Sequence, residues 1–337
     1  MSFLHFIRAQ YKTLPLTLAP ADCQGHTYIV TGANSGIGYE CVKHLARLGS
    51  SRVILGVRSR DKGEAAKKAI EVDTGCDTNI LQVWEVDLGS YESVAAFAKK
   101  AGEELHRIDG IVENAGTAEG SWVEKEGKET NMTVNVFSTF LMALLVLPHL
   151  HKSARQFGIV PQLVIIGSGL AFQAKPIWEK LDIGNIFGDL RDRKKWEPKL
   201  SNTGYPLSKL LLTFAYFEFA RRAPFSRTGV AITMVNPGAC KTNLASHLNS
   251  SARLQIGIVL SLIGRNAEMG SRTLLHGLAV GEEAHGRYLS ECEISDHIVP
   301  DWVTDDDGRE WQVRVWEDIA AELEKACPGC LDVISNE

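Results

Sequence analysis

The sequence lacks an uninterrupted apolar run long enough to cross a bilayer. Its longest apolar stretch, Phe137 to Leu150, is broken by Ser138, Thr139 and His149 and contains Pro148, so by length it reads as a buried core helix. No transmembrane segment is expected. The chain also lacks a positive excess: 36 Lys and Arg against 41 Asp and Glu leave a formal net charge of -5. That balance provides no global field to hold phosphate backbones or anionic lipid, so nucleic acid is not an expected partner. Seven scattered cysteines, an odd number in 337 residues, do not read as a secreted disulfide framework. No signal peptide is evident, and the expectation is a reducing, cytoplasmic setting. Internal repeats, low-complexity tracts and domain linkers are missing too.

What is present is ordinary globular composition, 45% hydrophobic and 23% charged, in a chain long enough to bury a large core. Residues 1–24 form a leader whose first eighteen positions mix Phe3, Leu4, Phe6 and Ile7 with Arg8 and Lys12. It reads as packing against the domain, with a surface or membrane contact as the alternative. From position 25 the pattern alternates. Strands are expected at His26–Thr31, Arg52–Val57, Ile80–Val86, Ile108–Glu113, Gln162–Ile166 and Val230–Val235. Helices are expected up to Leu48 and at Lys62–Val72, Tyr91–Leu105, Lys128–His151 and Tyr205–Arg222. This alternation specifies an α/β, doubly wound parallel sheet in a single domain, 25–337. A short run at Arg287–Ser290 and a helix at Gly308–Lys325 complete it. Two insertions, 170–203 and 240–268, follow strand ends, where open α/β sheets bind ligands, and are expected to wall and cover a substrate pocket.

The segment Thr31-Gly32-Ala33-Asn34-Ser35-Gly36-Ile37-Gly38 places three glycines between the first strand and first helix. Lack of Cβ lets the backbone turn tightly against a pyrophosphate while the helix N-terminus faces the anion. Cofactor choice turns on the end of the second strand, Leu55-Gly-Val-Arg58-Ser-Arg60. A carboxylate there would accept bonds from the ribose of NAD, whereas a guanidinium matches the 2'-phosphate of NADP. Arg58 therefore favours NADP(H) over NAD(H), unless it and Arg60 are merely solvated charges. Tyr205 and Lys209, four residues apart, share one face of a helix. An ammonium beside a phenol favours the phenolate and would make Tyr205 an acid and base for a carbonyl oxygen. Pro206 suits the first helical turn.

Several of these motifs occur together. TGANSGIG at Thr31 to Gly38 is followed by Asp87 after the third strand and Asn114-Ala115-Gly116 after the fourth. Asn135 lies in the long helix, Ser168 after the fifth strand, YPLSK at Tyr205 to Lys209, and Asn236-Pro237-Gly238 after the sixth. In this order the chain resembles the short-chain dehydrogenase/reductase family over nearly its whole length, and its retinol-dehydrogenase-like members and fungal secondary-metabolism reductases in particular. The resemblance implies a Rossmann fold and an oxidoreductase interconverting a ketone or aldehyde and an alcohol on a medium-to-large apolar small molecule. It implies that Ser168 holds the substrate oxygen, Tyr205 transfers the proton, and Lys209 bonds the nicotinamide ribose and lowers the Tyr205 pKa. Asn135 would hold a relay water. Asp87 would meet the adenine, with Asn114, Ala115 and Gly116 lining the cofactor groove and Pro237, Gly238 and Thr242 bordering the carboxamide. Relatives often dimerise through the helices here at Lys128–His151 and Tyr205–Arg222, a homodimer that extended termini would block. The alternatives are a non-redox isomerase, dehydratase or cyclase on the same scaffold, or a non-catalytic NADP-binding sensor.

Three departures stand out. Glu113 occupies a position usually held by asparagine, and its carboxylate is expected to face solvent, although it could weaken cofactor binding. Gly167 precedes Ser168 where a second serine is common. The step from 168 to 205 is long. Cys327-Pro-Gly-Cys330 lacks a second ligand pair, so no metal site is expected. Asn131-Met-Thr133 and Asn249-Ser-Ser251 match a glycosylation pattern that a cytoplasmic chain would not use. Asp305 to Asp307 reads as a helix start. Trp178 and Trp196 would either stack on a ring-shaped substrate or anchor their insertion.

Overall fold

Apolar strands that are covered on both faces build the centre of the molecule, a computed structural model describing residues 3–181, 186–194, 196 and 203–335. They are β1 (Thr27–Thr31), β2 (Arg52–Val57), β3 (Leu81–Glu85), β4 (Gly110–Glu113), β7 (Gln162–Ile166), β8 (Ala231–Asn236), β9 (Tyr288–Ser290) and β10 (Glu293–Ile294). A separate hairpin pairs β5 (Glu124–Lys125) with β6 (Lys128–Glu129). The main sheet runs β3-β2-β1-β4-β7-β8-β9-β10, parallel except for β10 against β9. Strand order reverses between β1 and β4, which opens a crevice at their carboxyl ends.

The principal helices are α1 (Phe3–Tyr11), α2 (Gly36–Arg47), α3 (Arg60–Thr74), α4 (Tyr91–Glu104), α5 (Ser138–Phe157), α6 (Gly204–Arg222), α7 (Ser250–Ile263), α8 (Ala267–Ala279) and α9 (Asp306–Ala326). Successive strand residues serve opposite faces, as period two requires. Ile29, Ile111, Leu163 and Ile165 join the core under α4, α5, α6 and α9, while Tyr28, Val30, Val112 and Val164 join the core under α2, α3 and α8. Helical spacing does the same on the covering layer: Tyr91, Val94, Phe97, Ala98 and Ala101 are the buried stripe of α4, started by the Ser90 side chain accepting from Ser93 N. The apolar helix Thr130–Phe157 is long enough to span a membrane by composition, yet 78% of its apolar window is buried inside the fold.

The expected helix at Lys128–His151 starts later. Glu126 and Gly127 both have positive φ, 50° and 68°, and form a two-residue hairpin turn, so Lys128 and Glu129 pair with Lys125 and Glu124 instead. One turn, Thr130–Met132, and a π turn, Thr133–Phe137, then lead into α5. The helices proposed as a dimer surface are covered in cis. Trp316 of α9 stacks on Phe219 at 5.4 Å and meets Phe140 edge-on at 5.4 Å. Removing so large a buried ring costs about 3–5 kcal/mol. The leader is packed against the domain, with Leu14 and Leu18 buried. Asp305 caps α9 by accepting from Gly308 N at 2.8 Å. Parts of the 170–203 insertion, 182–185, 195 and 197–202, lie outside the described residues, as do 336–337 of the domain and Met1 and Ser2 of the leader.

Candidate active site

The glycine loop is a cradle made by close packing. Gly32 and Gly36 have φ of +66° and +61°, and a Cβ on Gly32 would lie 2.9 Å from Ala115 Cα. At Gly38 a Cβ would fall 2.4 Å from Asn114 Nδ2, so only glycine lets α2 sit against the β4 end. Asn114 holds the loop in turn, its Nδ2 donating to Thr31 O at 2.8 Å and Gly32 O at 3.4 Å, while Ala115 N donates to Thr31 Oγ1 at 3.0 Å. Ser35 stands at the N-cap of α2 in extended backbone and makes no side-chain cap bond. The first amides of α2, from Gly36, Ile37 and Gly38, thus lack that partner, which fits a phosphate-bearing cofactor. Asn34 is half-buried on the same loop. Arg58 follows β2 directly, exposed and without an ion-pair partner among the described residues, whereas Arg60 faces Glu64 at 4.0 Å. Asp87, beyond β3, accepts from Gly89 N at 2.9 Å.

The ends of β7 and β8 carry the next group. A Cβ at Gly167 would press on Met234 at 2.8 Å, so position 167 faces into the sheet packing and leaves Ser168 as the serine at the strand end. Asn236 ties this region together, its Oδ1 accepting from Gly169 N at 3.3 Å and Gly238 N at 3.1 Å. Pro237, Gly238 and Thr242 continue from it, and Thr242 Cγ2 lies 3.2 Å from where a Cβ on Gly36 would stand. Tyr205 opens α6 with its phenol near the Ser168 side chain, and Lys209, one turn on, donates from Nζ to Ile166 O at 2.7 Å. The structure therefore brings Ser168, Tyr205 and Lys209 together. Asn135 sits in the π turn, a wider turn of the kind found at functional sites. Its Oδ1 accepts from Thr117 N, and its Nδ2 donates to Thr117 O and Ser208 Oγ, each at 2.9 Å. Ser208 Oγ donates to Tyr205 O at 2.8 Å. Asn135 thus braces the Tyr205 helix against the β4 turn, with its amide N–H groups committed to protein partners.

The short chain dehydrogenase family matches residues 26–179. A short chain dehydrogenase/reductase of Cryptosporiopsis sp. (strain 8999), dmxR8, is 37% identical over 319 residues, covering 95% of this chain and 96% of that protein. The chain belongs to the short-chain dehydrogenase/reductase family. The short-chain dehydrogenase anuD of Penicillium roqueforti (strain FM164) is 32% identical over 334 residues, covering 98% of this chain and 85% of that protein. Among solved structures, a short-chain dehydrogenase from Sphingobium yanoikuyae in complex with NADPH has a TM-score of 0.58 at 20% identity, covering 85% of this chain and 94% of that one. The Pseudomonas aeruginosa RhlG/NADP active-site complex has a TM-score of 0.59 at 22% identity, covering 81% and 97%. At those identities the two structures speak for the fold.

Electrostatics in this dehydrogenase/reductase differ from the simple expectation. Burial pushes the Tyr205 phenol up to about 12, the Ser168 hydrogen bond opposing it and Cys240 adding to it. The expected lowering by Lys209 is not seen: its Nζ stands 5.9 Å from the Tyr205 ring centre and points to Ile166 O. Lys209 is itself lowered to about 8 by burial. Glu113 does not face solvent. It is 6% exposed at the end of β4, neither carboxylate oxygen has a hydrogen-bond partner, and burial raises its pKa well above the carboxylate range.

Trp178 and Trp196 anchor the insertion, since both are buried, Trp178 against Phe214 at 5.2 Å and Trp311 at 4.8 Å, Trp196 against Trp122 at 5.6 Å. Asn131 is fully buried, bonded to Glu119 O and Glu129 Oε1, so its amide is not accessible to glycosylation. All seven cysteines are free, Cys327 and Cys330 among them. Among the described residues no three His, Cys, Asp or Glu side chains cluster as metal ligands. Sequence reasoning missed Gln10 and Arg265, which reach the Pro237–Ala239 backbone from the leader and from the end of the second insertion. A lone Gln in a leader offers no local signal for a contact 229 positions away.

Proposed function

We propose that the enzyme is an NADP(H)-dependent reductase of a ketone or aldehyde, or the corresponding alcohol dehydrogenase, acting on a medium-to-large apolar small molecule. The observation that carries this reading is the convergence of Ser168, Tyr205 and Lys209 beside a glycine cradle with an uncapped helix N-terminus. Nicotinamide, when bound, supplies or accepts the hydride. Ser168 holds the substrate oxygen, and Tyr205, a neutral phenol at physiological pH, gives that oxygen its proton as the carbonyl is reduced. Lys209 would hold the nicotinamide ribose through its ammonium. Asn135 keeps the Tyr205 helix in place, and a relay water at Asn135 would link Lys209 to solvent. Gly32, Asn34, Ser35, Gly36, Ile37 and Gly38 receive the pyrophosphate, Asp87 the adenine, Asn114, Ala115 and Gly116 the groove, and Pro237, Gly238 and Thr242 the carboxamide.

Arg58 supports NADP(H), because a free guanidinium after β2 suits a 2'-phosphate. Apolar side chains exposed on the insertions, Leu170, Leu244, Leu254 and Ile258, support an apolar substrate, of the kind fungal secondary metabolism supplies. Relatives from Cryptosporiopsis and Penicillium support a fungal setting. Seven free thiols suit the cytoplasm. Fluorescence titration with NADPH and with NADH tests the cofactor assignment. NADPH should bind at least about tenfold more tightly, roughly 1.4 kcal/mol, and Arg58→Ala should erase the difference. Equal binding of both by the wild type would overturn the NADP assignment, and binding of neither would overturn the redox reading.

A further inference from the structure

The leader reaches the strand end that we assign to the nicotinamide carboxamide. Gln10, 5% exposed, holds both backbone groups of Ala239: its Nε2 donates to Ala239 O at 2.8 Å and its Oε1 accepts from Ala239 N at 3.2 Å. One side-chain amide thereby does for Ala239 what a neighbouring strand would do. The same Nε2 also donates to Ile263 O at 3.2 Å, and Tyr11 OH donates to Leu262 O at 2.7 Å, so the leader grips the end of α7 as well.

Arg265 completes the clasp. It is 4% exposed, and its guanidinium donates to Pro237 O at 3.2 Å, to Glu291 Oε1 at 3.1 Å and to Ala9 O. Backbone bonds from Arg265 N to Ala239 O at 2.9 Å and from Lys241 N to Arg265 O at 2.8 Å close the insertion at its base. Gly238, at φ +75°, is boxed in by these two side chains: a Cβ there would fall 2.5 Å from Gln10 Oε1 and 2.8 Å from Arg265 Nη1. Further along, Arg272 Nη1 donates to Leu14 O at 2.6 Å and fixes the leader to α8.

We infer that the leader is part of the active site, with Gln10 a positioning residue that presets Gly238 and Ala239 to receive the nicotinamide carboxamide. Without it the Pro237–Ala239 segment loses two hydrogen bonds that keep its peptide groups oriented, and the carboxamide meets a wall it must order on binding. The effect is confined to the nicotinamide half of the cofactor, since Gln10 touches neither the glycine loop nor Arg58. The inference rests on the NADP(H) reading above.

The test compares two probes, NADPH and 2'-phospho-ADP-ribose, which lacks the nicotinamide. Gln10→Ala should weaken NADPH about tenfold and leave 2'-phospho-ADP-ribose within twofold. Gln10→Glu keeps the shape and the acceptor but loses the donor to Ala239 O and Ile263 O, and should fall in the same direction, which decides the matter if the alanine variant does not fold. Equal weakening of both probes would reduce Gln10 to a general structural contact, and unchanged affinity for both would overturn its role. Failure of the wild type to bind either probe overturns the cofactor reading, and this inference with it. Tight wild-type binding of both with an insensitive Gln10 overturns this inference alone.

Discussion

Glu113 should make this dehydrogenase/reductase lose stability as pH rises through the weakly acidic range. An unfolded chain releases a glutamate proton near pH 4.3, whereas the folded state keeps it, because burial raises the carboxyl well above that range and no partner offsets the charge. Between those two values the folded state holds one more proton than the unfolded state. Unfolding free energy then falls by about 1.4 kcal/mol for each pH unit. Below pH 4.3 both states are protonated and the contribution vanishes. Glu113→Gln keeps the shape and cannot titrate, so the difference between variant and wild type isolates this one group. Urea unfolding followed by tryptophan fluorescence at pH 5.5 and 6.5 should show the variant gaining on the wild type as pH rises, by at most about 1.4 kcal/mol per unit. Glu113→Leu also removes two unpartnered buried oxygens and should be more stable than the wild type at neutral pH, by about 1–3 kcal/mol. Parallel pH curves for wild type and Glu113→Gln would refute the reasoning, since they would mean that the carboxylate is charged and paired in the fold.

Two further predictions concern turnover. Tyr205→Phe should lower kcat for carbonyl reduction by about 10²–10⁴-fold while NADPH affinity stays within about twofold, measured by steady-state kinetics and titration; a loss of only a few-fold would remove Tyr205 from the proton transfer. Because burial lowers Lys209 to about 8, its ammonium is lost as pH rises through that value, and kcat/KM for reduction should be flat from pH 6 to 7.5 and fall about tenfold per unit above 8. Lys209→Arg keeps the charge and should abolish that fall, and an unchanged profile in the arginine variant would assign the inflection to another group.

The sequence was most legible where one local rule decides the structure. Strands such as Arg52–Val57 and Gln162–Ile166 are covered on both faces and read as continuous apolar runs. Gly32, Gly36 and Gly38 are legible because a strand must turn tightly into a helix there, and Tyr205 and Lys209 because a helix brings every fourth residue onto one face. Legibility failed where chemistry at distance decides. Both missed hairpin turns place non-glycine residues at positive φ, Glu126 in one and Glu291 with Cys292 in the other, so neither shows the usual Asn-Gly or Asp-Gly signature. A charge at a strand end usually faces solvent, whereas Glu113 is buried there, which no local pattern signals. Trp178 and Trp196 suit substrate and scaffold equally by sequence, and what decides between them is their packing on Phe214, Trp311 and Trp122, distant in the chain.

The leader's contacts also set an order of events during synthesis. Gln10 leaves the ribosome long before its partners, Ala239 and Ile263, which lie 229 and 253 positions later. At about 5–20 residues per second, the segment waits roughly 10–50 s with nothing to bind. Gln10 therefore docks only after the residues from Ala239 to Ile263 have been made, and the Pro237–Ala239 segment gains its last two side-chain hydrogen bonds late.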